Sequence, residues 1–176
     1  MNIFILNSGR CGSSTFIKAC QHITNYTSAH ESLLTEVAEK RLNYHENHIE
    51  ADNRLSWFLG RLDEKFGDDA YYVHLSRNKT DVVNSFCKRL NFGILKAYEQ
   101  GVLMHEKHML PAHEIISDYL DTVDSNINFF LKDKPVTMNI SLETINADFT
   151  VFWKNIGAEG DLDKALKEWD IAYNAS

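Results

Sequence analysis

An apolar run near the amino terminus leads directly into a glycine-containing turn. Residues 3–6 are all apolar, and the turn formers that follow include Gly9 and Gly12. A short continuous run of this kind is typical of a strand buried on both faces of a parallel sheet. Apolar residues then recur at helical spacing, at Phe16, Ala19, Cys20 and Ile23. The sequence therefore predicts a strand over residues 2–6, then a loop and a helix.

Strands and helices are predicted to alternate along the rest of the chain. Residues 70–75 are rich in β-forming side chains, and helical spacing follows at Val82, Val83, Phe86 and Leu90. Further extended segments are predicted at 25–32 and 135–140, with a long amphipathic helix over 115–131. This alternation indicates an α/β fold, a three-layer sandwich around a mostly parallel central sheet.

Several other segments have helical spacing of their apolar residues. They are 33–44, 55–66 with Gly67 as a stop, 149–156 and 162–173. Asp52 and Asn53 are interpreted as the cap of the second of these helices. Residues 91–111 show no clean periodicity, so we interpret them as a mobile loop, a candidate substrate lid.

Composition excludes several classes of protein. The chain has 176 residues, 44% hydrophobic and 24% charged, values typical of a single folded domain, which we expect to span residues 1–176. The formal net charge of −7 argues against a protein that binds nucleic acid through a broad basic surface. No segment has the ~18–20 apolar residues of a membrane span, and three sparse cysteines do not indicate disulfides. We expect a soluble, cytoplasmic protein.

The first loop, residues 9–14, is a candidate anion site. Backbone N–H groups and the positive end of a helix dipole converge at such turns in α/β proteins. The loop is not a P-loop of nucleotide hydrolases, because no lysine follows Gly9 before Lys18. A dinucleotide fingerprint would need glycine at position 11, and a thiol-phosphatase loop would need arginine at position 17. On this loop alone, a phosphate site and a structural turn are equally good interpretations.

The second loop carries an arginine and a serine. Arg77 follows the predicted strand at 70–75, and Ser85 lies in the helix after it. Because ligands of open α/β sheets bind at the carboxyl edge of the strands, both side chains can converge on an anion beside the first loop. The alternative is a surface ion pair for Arg77 and a solvent-facing hydroxyl for Ser85.

Together the two loops resemble the signature segments of sulfotransferases that use 3′-phosphoadenosine 5′-phosphosulfate (PAPS). The family's first loop has proline, a basic residue, serine or cysteine, glycine and two hydroxyl residues, and residues 9–14 are similar except that Gly9 replaces the proline. The second signature begins with arginine and ends with serine, and residues 77–85 match it completely. Residues 136–157 are also similar to the family's later strand, acidic turn and helix.

The resemblance implies the P-loop-NTPase-like sulfotransferase fold, with PAPS as sulfuryl donor and no metal. The acceptor would be a hydroxyl or amine of a small molecule or glycan. Donor-binding residues would be Arg10, Cys11, Gly12, Ser13, Ser14 and Thr15 at the 5′-phosphosulfate, and Arg77 and Ser85 at the 3′-phosphate. Arg10 would also be catalytic, as a fixed planar donor to the phosphosulfate.

The resemblance also implies a base after the second strand. Glu31 is expected to be the base that takes the proton of the acceptor, and its neighbour His30 is the alternative. Because successive residues of an extended segment point to opposite faces, only one of the two should face the donor.

Other functions remain open. The family's late lysine- and glycine-rich segment has no counterpart here, which favours a non-catalytic protein that binds a nucleotide or a partner. A P-loop kinase is a third hypothesis. The absence of a lysine from the first loop argues against it. His105, His108 and His113 suggest a metal site, but H-E-x-x-H would need histidine at position 109, so a solvated or substrate-contacting loop is favoured.

Overall fold

A five-stranded parallel sheet forms the centre of the computed structural model, which describes residues 1–88, 93–104 and 110–171. The strands are β1 (Ile3–Leu6), β2 (Thr27–His30), β3 (His48–Ala51), β4 (Tyr71–Ser76) and β5 (Thr137–Ser141). They lie in the order β2-β3-β1-β4-β5, and every neighbouring pair is parallel.

Helices cover both faces of this sheet. One face carries α1 (Ser13–Cys20), α6 (Ile145–Asn155) and α7 (Leu162–Lys167). The other carries α2 (Leu59–Phe66), α3 (Lys79–Cys87), α4 (Gly93–Ala97) and α5 (Ala112–Leu131). The expected three-layer α/β architecture is confirmed. None of the helices formed by the described residues combines the length and the hydropathy of a membrane-spanning segment.

The apolar run of β1 supplies both cores. Ile3 and Ile5 pack in the core beneath α1 and α6, whereas Phe4 and Leu6 pack in the core beneath α5. Successive side chains of a strand point to opposite faces, so a strand covered by helices on both sides needs apolar residues at every position. All four side chains are fully buried.

Two predicted segments differ from the structure. Residues 33–44 contain only a 3₁₀ helix, Ala38–Leu42, and Leu34 and Val37 are exposed. Two apolar residues of the predicted helical face are thus left in solvent, and the prediction of a helix over 33–44 is wrong. The stretch at 91–111 is not wholly loop, because it contains α4 and a π-helical turn, Tyr98–Val102. His105 and His108 lie outside the described residues.

Strand β3 is the element that sequence patterning does not predict. It contains a histidine and a glutamate, His48 and Glu50, yet all four of its residues are buried. Buried strands normally read as apolar, because a buried charge is costly unless its hydrogen bonds are satisfied. These two side chains contact each other, and their remaining partners come from β2 and the turn after it, which the local sequence does not reveal.

Candidate functional site

A cleft of about 560 Å³ opens at the carboxyl ends of the central strands. The chain continues from β1 towards β2 and β3 on one side, and from β4 towards β5 on the other. The crevice between β1 and β4 is therefore a topological switch point, the usual ligand site of open α/β sheets. Seven of the predicted donor-binding residues line the cleft: Arg10, Gly12, Ser13, Ser14, Thr15, Arg77 and Ser85.

The first loop turns sharply through left-handed backbone. Gly9, Arg10 and Gly12 have φ of 90°, 59° and 90°, values that glycine adopts easily and other residues rarely. Proline could not occupy position 9 in this conformation, because its ring fixes φ near about −65°. The departure of Gly9 from the sulfotransferase pattern is thus a difference in backbone conformation as well as in residue type.

Helix α1 begins at the cleft, and its N-cap residue is Gly12. Gly12 makes no side-chain cap, and the N–H groups of a first helical turn have no partners within the helix. Those groups and the positive end of the helix dipole favour an anion. The fully buried Phe16 packs edge-on against Phe149 and Phe152, with ring centroids 5.2 Å apart in both pairs, so α1 is firmly placed.

The two predicted loops meet in the cleft. Arg10 Nε donates a hydrogen bond to Ser85 Oγ at 2.8 Å, and Arg77 Nη1 donates to the backbone oxygen of Arg10 at 3.4 Å. Arg77 also lies 3.8 Å from Asp81 in α3. Two guanidinium groups and a hydroxyl, contributed by segments distant in sequence, therefore converge at one place.

An acidic turn after β5 fixes the second loop. Glu143 accepts a hydrogen bond from the backbone N–H of Asn78 at 2.7 Å and another from the Ser141 hydroxyl. The bond from Ser141, followed by that from Asn78, lowers the pKa of Glu143. The side chain of Asn78 caps α3 by accepting from the N–H groups of Thr80 and Asp81, at 3.0 and 3.3 Å. Arg77 is thus held between two anchored elements.

His30 and Glu31 both line the cleft, so the expectation that only one of them faces it is wrong. Glu31 lies beyond the end of β2 and has φ of 53°, so strand alternation does not apply to it. His30 Nε2 lies 3.1 Å from Ser13 Oγ and 3.4 Å from Ser14 Oγ. The Glu31 carboxylate pairs with Arg54 at 3.0 Å.

Cys11 is the one predicted donor-binding residue absent from the cleft lining. Its side chain is fully buried in the core beneath α1, and burial raises the pKa of the thiol to about 12. A thiol with so high a pKa is not a nucleophile near neutral pH. Cys11 can therefore contribute only backbone atoms to a ligand.

Residues after β3 contribute to the cleft without having been predicted there. Asn53 lines it, and its Nδ2 lies 2.8 Å from where a Cβ on Gly9 would stand. Asp52 accepts a hydrogen bond from the Arg54 N–H at 2.8 Å. It therefore caps the 3₁₀ helix Asn53–Trp57 that precedes α2, and not α2 itself, whose N-cap is Phe58. Residues 52–54 are polar and directly follow β3. They could have been predicted as a loop at the end of a strand only if β3 itself had been predicted.

Trp169 and Leu142 form an apolar wall of the cleft beside Gly12. Trp169 also packs against Phe16, with ring centroids 6.2 Å apart, so this residue belongs to both the core and the cleft.

No family model and no curated protein matches the chain. Within residues 1–88, 93–104 and 110–171 there is also no group of three or more histidine, cysteine or acidic side chains placed to hold a metal ion. Residue chemistry and geometry are the basis on which a function can be assigned to the cleft.

Proposed function

We propose that the protein is a PAPS-dependent sulfotransferase, which transfers a sulfuryl group to a hydroxyl or amine of a small molecule or glycan. The convergence of Arg10, Arg77 and Ser85 in the cleft carries this proposal. Guanidinium groups and a helix amino terminus at the same crevice suit a ligand that has two separate anionic groups. PAPS is such a ligand, because it carries a 3′-phosphate in addition to its 5′-phosphosulfate.

Each part of the cleft has a role in this proposal. The amino terminus of α1, with the hydroxyls of Ser13, Ser14 and Thr15, would bind the 5′-phosphosulfate. Arg77 and Ser85 would bind the 3′-phosphate, the group that distinguishes PAPS from ATP. Arg10 would stabilise the negative charge that develops on the 5′-phosphate during transfer.

The transfer itself is an in-line displacement at sulfur. The acceptor oxygen or nitrogen forms a bond to sulfur while the bond between sulfur and the 5′-phosphate oxygen breaks. The products are the sulfated acceptor and 3′,5′-diphosphoadenosine. The proton of the acceptor passes to a base, and placing donor, acceptor and base together supplies much of the acceleration.

Glu31 and His30 remain the two candidates for the base. Glu31 is the residue that the resemblance implies, but its carboxylate is paired with Arg54. His30 already contacts the hydroxyls of Ser13 and Ser14, where the phosphosulfate would lie. Glu31→Gln and His30→Gln separate the two, because loss of the base should abolish turnover and leave affinity for the diphosphate product intact.

Calorimetric titration with 3′,5′-diphosphoadenosine tests the proposal directly. Wild-type protein should bind the diphosphate more tightly than ATP, and Arg77→Ala should weaken binding at least about tenfold, because charged hydrogen bonds are worth about 1.5–3 kcal/mol. Lys79→Ala is the matched control, since Lys79 pairs with Asp121 at 2.5 Å and is not in the cleft lining. A wild-type protein that fails to bind the diphosphate would contradict the proposal.

A non-catalytic nucleotide-binding protein is the second candidate. The ion pair between Glu31 and Arg54 favours it, because the carboxylate that the resemblance implies as the base is already bound to a cation. Such a protein would bind the diphosphate and lose that binding in Arg77→Ala, yet consume no PAPS with any acceptor of a panel. A P-loop kinase would instead bind ATP tightly and require magnesium.

A further inference from the structure

The strand that brings His30 and Glu31 to the cleft lies at an edge of the sheet. β2 has four residues, none of them buried, and among the described residues it pairs with β3 alone. A strand in this position has one row of ladder hydrogen bonds and little apolar burial. Additional contacts must therefore fix where its carboxyl end lies.

Polar side chains of β3 supply those contacts at both ends of β2. At one end, the hydroxyl of Thr27 lies 2.8 Å from His48 Nδ1. His48 Nε2 lies 2.9 Å from Glu50 Oε2. At the other end, Glu50 accepts a hydrogen bond from the Ser32 N–H at 2.8 Å and another from the Ser32 hydroxyl at 2.6 Å. His48 and Glu50 are two positions apart, so both face the same side of β3.

Burial makes the Glu50 contacts strong. Its side chain is fully buried, and a buried carboxylate is tolerated where several donors satisfy it. Three donor atoms do so here, two of them from Ser32. Glu50 is absent from the cleft lining, so its contribution to the site can only be indirect.

Ser32 directly follows the residue whose backbone is strained. Glu31 has φ of 53°, a conformation that a residue other than glycine keeps only where its surroundings enforce it. The Glu31 N–H donates to the Ala51 oxygen at 3.0 Å, and the two bonds from Ser32 to Glu50 hold the next residue. Hydrogen bonds to β3 therefore hold the turn both at Glu31 itself and at the residue that follows it.

We propose that Glu50 is a positioning residue, which holds the turn of His30, Glu31 and Ser32 so that His30 and Glu31 face the cleft. The functional part of this inference rests on the proposed function, in which one of those two side chains is the base. The structural part concerns the turn alone and can be measured without an acceptor substrate.

Amide hydrogen exchange, followed residue by residue by NMR, tests the inference. Glu50→Gln keeps the shape of the side chain but removes the negative charge and one acceptor oxygen. Exchange at Glu31 and Ser32 should accelerate at least about tenfold in this variant, as expected for loss of charged hydrogen bonds. Ile140→Ala is the control, because it removes buried volume from β5 at the opposite edge of the sheet.

A second variant and a second signal separate positioning from general destabilisation. Ser32→Ala removes only the hydroxyl bond, so it should accelerate the same amides less than Glu50→Gln does. The imidazole resonances of His30 report its contact with the Ser13 hydroxyl, and they should shift in Glu50→Gln towards those of Ser13→Ala. In Ile140→Ala they should stay at their wild-type positions.

The outcomes distinguish this inference from the proposed function. If exchange at Glu31 and Ser32 rises no more in Glu50→Gln than in Ile140→Ala, or if the His30 resonances do not move, Glu50 does not position the turn. If the turn responds as expected but wild-type protein does not bind 3′,5′-diphosphoadenosine, the sulfotransferase proposal fails and the positioning role stands. Diphosphate affinity that falls as far in Glu50→Gln as in Arg77→Ala would also overturn the inference, because Glu50 would then be supporting the whole donor site.

Discussion

Single residues of the first loop determine which backbone the loop can adopt. Gly9 and Gly12 have left-handed φ values, and Arg10 shares that conformation although it carries a side chain. A residue other than glycine in this region costs free energy. The hydrogen bond from Arg10 to Ser85 is one contact that keeps the guanidinium directed into the cleft despite that cost.

Gly12→Ala should destabilise the protein by about 1–3 kcal/mol, measured by urea unfolding. Its φ is 90°, and an added Cβ would stand 2.9 Å from Leu142 Cδ1. Gly60 is the matched control, because an added Cβ in α2 meets nothing within 4 Å and φ there is ordinary. Gly60→Ala should be neutral or stabilise by up to about 1 kcal/mol. Equal effects of the two changes would contradict this account of the loop.

At the residue scale, a motif in the sequence specified where two side chains lie relative to a strand end. Arg77 and Ser85 were predicted in this way and do converge with Arg10. The expectation for His30 and Glu31 was wrong because it assumed that the strand continues, whereas the backbone of Glu31 has already left the extended region. A backbone angle of that kind depends on contacts with β3, which no local pattern encodes.

The elements that carry the cleft depend on caps and short hydrogen-bonded turns. Asn78→Ala should lower stability by about 1 kcal/mol in thermal or urea unfolding, because it removes the acceptor that caps α3. Asn78→Asp should retain most of that stability, since a carboxylate accepts the same bonds and also favours a helix amino terminus. Were the aspartate variant to lose as much stability as the alanine variant, the side-chain cap would not be the cause.

The turn after β5 should make stability depend on acid pH. Folding lowers the pKa of Glu143 through its bonds to Ser141 and Asn78, so its contribution is present above the unfolded pKa of about 4.3 and is lost as pH falls through the folded value. Glu143→Gln should therefore lose less stability than wild type between neutral pH and pH ~3. The difference should be small, because Glu143 is exposed.

Urea unfolding of both proteins at several pH values in that range measures this effect. Ser141→Ala removes the largest single cause of the lowered pKa and should reproduce part of the change. Identical acid dependence in wild type and Glu143→Gln would show that the folded and unfolded carboxyls titrate alike.

Element prediction failed where tertiary contacts override the local pattern. Residues 33–44 have helical spacing but form only a short 3₁₀ helix, and Val37 is 75% exposed. In β3 the local pattern misleads in the other direction. His48 and Glu50 are polar and would be expected at the surface, but both are buried. Each of these side chains finds a partner on another segment, and such pairing cannot be read from spacing within one segment.

At the scale of the whole molecule, the two cores should unfold together. They lie on opposite faces but share β1 and β4, whose alternate side chains enter both. Phe152→Ala in one core and Ile116→Ala in the other should each cost about 2–5 kcal/mol. Each variant should still show one transition, coincident by circular dichroism and tryptophan fluorescence. Separate transitions would contradict the single domain that the length of the chain predicts.

The sequence by itself determined the α/β class, the order of most strands and helices, and the two loops that carry Arg10, Arg77 and Ser85. These features follow from periodicity, turn chemistry and strand ends, which are local properties of a chain. Only the tertiary structure decided that β3 lies beside β1, that Cys11 turns into the core, and that both His30 and Glu31 reach the cleft. Those outcomes depend on burial and on hydrogen bonds between distant segments, whose free energies exist only once the segments have come together.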